Sequence, residues 1–227
     1  MADPITFYFD FSSPYGYLMS EKIDDLAARY GRKVRWRPIL LGIIFQSTGS
    51  APLTLQAPPK AAYYKHDFAR SARFLGVPFR FPSKFPLPTQ QAARAYLWLH
   101  EQDCAQARAF AHATYRALFV DDRDISGPDT VLDIAAGLGV DRQALAAALG
   151  GPELKERLKA EVETAMAAGV FGSPTVVVDG ACAACIAGTR SCASVSPSSR
   201  VTRARKRRRA AVRTSKPRFG SFTSPDS

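Results

Sequence analysis

The sequence predicts an α/β fold with a large all-helical insertion. Three observations predict it: a strand-helix-strand unit at the start, helical spacing through the middle, and a short apolar strand that arrives only near residue 175. A chain of 227 residues is long enough to bury one sizeable core.

Residues 5–11, ITFYFDF, are aromatic and β-branched with no breaker and read as a buried strand. Ser13 then offers a side-chain oxygen as N-cap, and Pro14 takes the first helical position, where its missing N–H costs nothing. One helix is predicted over PYGYLMSEKIDDLAARY, with Leu18, Ile23, Leu26 and Ala27 on its apolar face and Gly31 ending it. KVRWRPIL is the next strand, with Val34 and Trp36 on one face and Pro38 closing it, which completes a β-α-β unit. Helices are predicted over PPKAAYYKHDFARSARFLG, PTQQAARAYLWLHEQ, QARAFAHATYRALFV, GPDTVLDIAAGLG, DRQALAAALG and GPELKERLKAEVETAMAAG. A proline-rich loop, VPFRFPSKFPLP, separates the first two and presents Phe79, Phe81 and Phe85. In GSPTVVVDG, Val176 to Val178 form a late strand and Asp179-Gly180 a hairpin turn. No partner strand is legible after that turn, because the composition changes at Ala181.

Composition narrows the function classes. Hydrophobic content of 46% and charged content of 22% are ordinary for a soluble globular chain. No apolar run approaches the roughly 20 residues that cross a bilayer, so no membrane partner is expected. The opening MADPITFYF has no basic leader pattern, and a cytoplasmic location is expected. The net charge of +11 suggests nucleic acid at first. However, residues 181–227 hold nine Arg and two Lys against Asp226, a net of +10, which leaves +1 for the first 180 residues. Cys104 lies in a helical stretch, while Cys182, Cys185 and Cys192 lie in the tail, so the globular part has no disulfide framework.

Several segments taken in order carry a family resemblance. They are FYFDFSSPYGYL, WRPILLGIIFQSTG, DFARSARFLGVPFRFPSKFP, DRDIS and AMAAGVFGSPTVVVDG. The set resembles the thioredoxin-like fold with a helical insert, in the branch of 2-hydroxychromene-2-carboxylate isomerases and kappa-class glutathione transferases. These are relatives of the bacterial disulfide oxidoreductases. The resemblance implies a thioredoxin-like core in residues 4–40 and 169–180 and a helical insertion in 41–168, while composition marks 181–227 as a basic, low-complexity tail that is expected to be disordered.

In redox members of that fold the first helix opens with Cys-x-x-Cys. Here the four positions read Ser13-Pro14-Tyr15-Gly16, so a protein dithiol cycle at this place is excluded. The resemblance implies that the thiol comes from glutathione, acting as cofactor, and that Ser13 steadies its thiolate as the catalytic residue. A thiol of pKa about 8.5 is mostly protonated at neutral pH. A hydrogen bond to a charged group is worth about 1.5–3 kcal/mol, and a helix N-terminus adds about 0.3–1 kcal/mol. At about 1.4 kcal/mol per unit the two lower the pKa by one to three units. On its cap signature alone Ser13 reads as a helix cap, the rest of the pattern favours the functional role, and Ser12 is read as structural.

The resemblance also implies a cis Pro174, which turns the backbone of Ser173 toward the site to pair with glutathione like an added strand. Trp36, Phe45, Phe79, Phe81 and Phe85 are candidate walls of a substrate cleft. Core packing is the more frequent role for each. Where the family places a substrate-holding lysine, this chain has Gln46 and Ser50 nearby, which puts the named isomerase substrate in doubt more than glutathione use. Gln46, Ser50 and Phe85 are therefore the substrate-binding candidates.

Other signals are weak. No phosphate-cradling glycine loop, nucleophile elbow or zinc-ligand cluster is present, and no metal is expected. His66, His100 and His112 fall on helical stretches and read as ordinary helix residues. The CAAC at 182–185 follows the late strand instead of opening the first helix. The tail RARKRRR is either a real basic extension or the product of a frameshift that replaced a closing strand and helix. The frameshift is favoured because the break falls inside a hairpin.

The expected function is a glutathione-dependent isomerase acting on an aromatic-derived unsaturated carboxylate. A kappa-type transferase or peroxidase is the alternative enzyme. A thioredoxin-like module carrying a nucleic-acid-binding tail is the alternative from another class. A second copy of the chain is a candidate partner, and nucleic acid is not expected to be one.

Overall fold

The computed structural model describes residues 3–183. Strands β1 (Ile5–Phe9), β2 (Val34–Pro38), β3 (Thr175–Val178) and β4 (Ala181–Ala183) form one sheet in the order β2-β1-β3-β4. β1 runs parallel to β2 with Phe7 opposite Trp36, and antiparallel to β3 with Phe7 opposite Val176.

The first strand stops two residues before the expected end. The Asp10 carboxylate accepts the Ser12 N–H at 2.7 Å and the Asp10 carbonyl accepts the Ser13 N–H at 2.9 Å, so the chain turns at Asp10 instead of continuing the ladder. The single helix predicted over residues 14–30 is two helices, α1 (Pro14–Ser20) and α2 (Ile23–Ala28). The Ser20 hydroxyl donates back to Tyr17 O, and the Lys22 N–H takes the Met19 carbonyl. Between the helices, Glu21 is held by Arg116 at 2.8 Å and by His112 at 3.3 Å.

A third helix, α3 (Leu41–Thr48), was not anticipated. Its start has no local cap, and the Leu41 N–H is taken instead by the buried Asp10 carboxylate at 2.6 Å. Helices α4 (Pro58–Leu75), α5 (Gln90–Gln102), α6 (Cys104–Phe119), α7 (Pro128–Ala136), α8 (Arg142–Gly150) and α9 (Glu153–Ala167) follow the predicted spans closely. Asp103 and Asp141 cap α6 and α8 through their side chains.

The hairpin turn forms with φ of 50° at Asp179 and 77° at Gly180, and Arg32 reaches the Asp179 carboxylate at 2.7 Å. The expectation that no partner strand follows is corrected at its first residues: Ala181–Ala183 pairs antiparallel with β3. A rapid change of composition hid these three residues, since backbone pairing needs little from small side chains. The expected tail, its CAAC side chains and the question of a closing helix lie outside the described residues.

One continuous core joins the sheet to the helical segment. Phe9 packs edge-on against Tyr96 of α5 at 5.2 Å, and Phe7 against Trp36 at 4.9 Å. Phe11 lies 5.1 Å from the Tyr115 ring of α6. Among the described residues, no helix is long and apolar enough to cross a membrane.

Candidate functional site

Ser13 lies at the junction the sequence marked. It is the N-cap of α1: Pro14 occupies the first turn and the Ser13 Oγ accepts the Gly16 N–H at 3.0 Å. The same oxygen donates its proton to the Ser173 carbonyl at 2.8 Å, across 160 residues of sequence. Ser13 is 4% exposed. The Ser173-Pro174 peptide is cis, and Pro174 is buried. Ser13, Ser173 and Pro174, which the resemblance implied lie side by side, therefore meet at one point.

Gly16 makes that meeting sterically feasible. A Cβ there would lie 2.9 Å from both the Ser173 Oγ and the Tyr115 hydroxyl, and 3.0 Å from the Ser13 Cβ. The need is for close approach and not for a special backbone conformation.

Asp10 is the organising residue that sequence reasoning passed over. Its carboxylate is buried and accepts from Ser12 N–H, Leu41 N–H and the Thr89 hydroxyl, at 2.6 to 2.8 Å. Its own N–H donates to the Ser173 Oγ at 3.0 Å, and its carbonyl accepts the Tyr115 hydroxyl at 2.9 Å. One residue thus ties the Ser12-Ser13 turn, the start of α3, the segment before α5 and the cis-proline loop. Burial pushes the carboxyl above its ordinary range, while the hydrogen bonds from Leu41 and Ser12 oppose that shift. The signal available in sequence was an acidic residue directly after a greasy strand.

A second link joins α1 to the helical segment. The Tyr15 hydroxyl donates to Asp67 of α4, which also pairs with Arg70. Burial and the Asp67 hydrogen bond both hold the phenol above its ordinary pKa, so Tyr15 stays a donor. Tyr15 also packs edge-on against Phe68 at 4.8 Å. Phe68 stacks on Phe81 at 6.3 Å, and Phe81 meets Phe85 at 5.2 Å. The aromatic wall is therefore continuous from the third residue of the Ser-Pro-Tyr-Gly turn to the half-buried Phe85. The Phe85-Pro86 peptide is also cis, which nothing in the sequence signalled.

The remaining candidates are less engaged. Gln46 and Ser50 are exposed, on α3 and just after it, and among the described residues neither bonds to Ser13 or Ser173. Trp36 is not a cleft wall of this site: it is 3% exposed, packed on Phe7, Phe9 and His112. Cys104 is an exposed thiol beside His100, and no group of metal-ligating side chains occurs among the described residues.

Comparison with known proteins agrees with this geometry. Residues 4–196 match the family model of the DSBA-like thioredoxin domain. A 2-hydroxychromene-2-carboxylate isomerase of Sphingobium xenophagum is 32% identical over 183 residues, which span 79% of this chain and 90% of the relative. A kappa 2 glutathione S-transferase of Caenorhabditis elegans is 25% identical over 183 residues, 78% of this chain and 81% of the relative. Among solved structures, a 2-hydroxychromene-2-carboxylate isomerase superposes with a TM-score of 0.71 at 26% identity, covering 79% of this chain and 87% of that one.

Proposed function

The chain belongs to the DSBA-like thioredoxin domain family, in the branch of 2-hydroxychromene-2-carboxylate isomerases, and from that premise we propose that it is a glutathione-dependent isomerase of an aromatic-derived unsaturated carboxylate. The observation that carries the reading is the Ser13 hydroxyl, held at the N-cap of α1 and pointed at the carbonyl before a cis-proline.

The residues present fit glutathione. Ser13 offers a side-chain proton at the mouth of α1, and Ser173 offers a carbonyl beside it. When bound, glutathione supplies a thiolate that adds to an unsaturated carbon and leaves again, so that a former double bond turns and the thiol is regenerated.

The part of Ser13 is an exchange of partners. Its proton is donated to Ser173 O. Turning that proton to a thiolate replaces a neutral hydrogen bond of about 1 kcal/mol with one to an anion of about 1.5–3 kcal/mol. The net gain of about 0.5–2 kcal/mol lowers the thiol pKa by up to about one unit. The Ser173 carbonyl, released, becomes the acceptor for a peptide N–H of the incoming ligand. The Gly16 N–H stays on the Ser13 oxygen and fixes its position throughout. Helix α1 has only seven residues, so the hydroxyl outweighs the helix dipole. Asp10 holds the turn and the cis-proline loop at a constant spacing while the proton moves.

Phe81 and Phe85 form an apolar side of the substrate cleft, and Gln46 and Ser50 offer uncharged hydrogen bonds to its carboxylate. A cytoplasmic setting, where thiols stay reduced, goes with this reading.

The uncharged Gln46, in place of the lysine that the resemblance implies, favours keeping a kappa-type transferase as the second reading. One assay separates them: conversion of 2-hydroxychromene-2-carboxylate, with total glutathione thiol measured alongside. Isomerisation that needs glutathione and leaves its amount unchanged is expected. Loss of glutathione in proportion to turnover would favour the transferase, and absence of any glutathione-dependent conversion would reject the isomerase assignment.

A further inference from the structure

A cavity of about 220 Å³ opens at the outer edge of β2, between α5 and α9. It shares no residue with the Ser13 site. Its lining holds three arginines and one carboxylate: Arg35 and Arg37 come from β2, and Arg157 and Glu161 from α9.

The charges do not balance within it. Arg37 is paired with Glu161 at 2.6 Å, and Arg157 with Glu101. Arg35 has no carboxylate within ion-pair distance among the described residues. His100 also lines the cavity, and burial together with Arg157 holds its pKa below the ordinary value, so it adds no positive charge at neutral pH. The surplus is one guanidinium.

The strand edge adds a neutral donor. Ile5 N–H bonds to Lys33 O and Ile39 N–H to Phe9 O, which fixes the phase of the parallel ladder. The odd-numbered residues of β2 therefore bond toward β1, and the Trp36 N–H and C=O face outward. The Trp36 carbonyl takes the Tyr96 hydroxyl at 3.4 Å, leaving the N–H as a donor on the cavity side. The next outward position is Pro38, which has no N–H, so an added β-strand cannot continue along this edge. That argues for a small molecule and against a peptide or a second copy of the chain. The volume exceeds a bare inorganic anion and falls below the roughly 300–1,000 Å³ of drug-sized pockets.

We propose that this cavity is a second binding site, for a small organic monocarboxylate whose head lies between the Arg35 guanidinium and the Trp36 N–H. Arg35 is exposed at a strand edge, so its replacement leaves the fold intact. Substituting Arg37 instead would strip Glu161 of its partner and confuse the result.

The test is a titration of the full chain with benzoate, followed by backbone NMR signals, on the wild type and on Arg35→Gln and Arg35→Lys. Saturable shifts at Arg35, Trp36 and His100 are expected. Arg35→Gln should weaken binding about tenfold, about 1.4 kcal/mol, with unchanged thermal stability, and Arg35→Lys should restore part of it. Benzyl alcohol, which lacks the charge, should give no saturable shift there. Shifts confined to Gly16 and Ser173, equal affinity in Arg35→Gln, or equally strong binding of inorganic phosphate would each overturn the assignment. A ligand held only at the Ser13 site would be recognised by the first of these outcomes.

Discussion

The Ser13 hydroxyl donates one hydrogen bond and accepts another, which makes the neighbouring residues as consequential as the serine itself. Its oxygen is fixed by Gly16 N–H and its proton by Ser173 O, so any side chain at position 16 disturbs both. Gly16→Ala would push a methyl to 2.9 Å from the Ser173 and Tyr115 oxygens, and we predict a loss of about 1–3 kcal/mol from overpacking. Chemical denaturation measures it, and an unchanged midpoint would show that the turn has slack the geometry denies. Sequence made Ser13 legible through a local mark, a cap before a helix, whereas Ser173 and Pro174 were legible only through the family resemblance. Asp10 carried only the mark of an acid after a greasy strand and Tyr15 none, since the partners that give them their roles, Leu41, Thr89 and Asp67, are remote in sequence and adjacent only after folding.

Among the elements, the break between α1 and α2 is stabilised from α6 as well as by its own Ser20 and Lys22 hydrogen bonds. Glu21 is held well below its ordinary value of 4.5, to about 2, by the His112 hydrogen bond first and by Arg116, against the opposing effect of burial. A carboxylate with a lowered folded pKa contributes stability that is fully present above its unfolded value and is lost as the pH falls toward the folded one. The window is therefore about pH 4.5 down to 2. We predict that Glu21→Gln lowers stability at neutral pH and removes the acid-dependent part across that window. Denaturant midpoints at neutral pH and near pH 3 check this, and equal acid sensitivity of the two proteins would contradict it. The same remoteness explains why α3 was missed: its cap is the Asp10 carboxylate, thirty-one residues away. The helices from α4 onward were legible because their stops and starts are local, such as Gly76 in the left-handed region and the capping Asp103 and Asp141.

For the molecule as a whole, the helical segment is not an appendage, because Phe9, Tyr96, Tyr115 and Phe119 belong to one aromatic core that crosses from sheet to helices. Far-UV circular dichroism, dominated by the helices, and Trp36 fluorescence in a Trp98→Phe background should therefore report one coincident unfolding transition. Separate transitions would mean that the sheet and the helical segment are independent units. The fold class followed from composition and period, whereas the register that brings residue 13 to residue 173 is a property of the assembled sheet and could only be borrowed from a family likeness. The account rests on that contact, and its most direct test is the pH titration of thiolate ultraviolet absorbance for glutathione bound to the wild type and to Ser13→Ala. The account predicts a bound-thiol pKa about one unit below the free value of about 8.5 in the wild type, and a return toward the free value in the variant. Identical titration curves for the two proteins would contradict it.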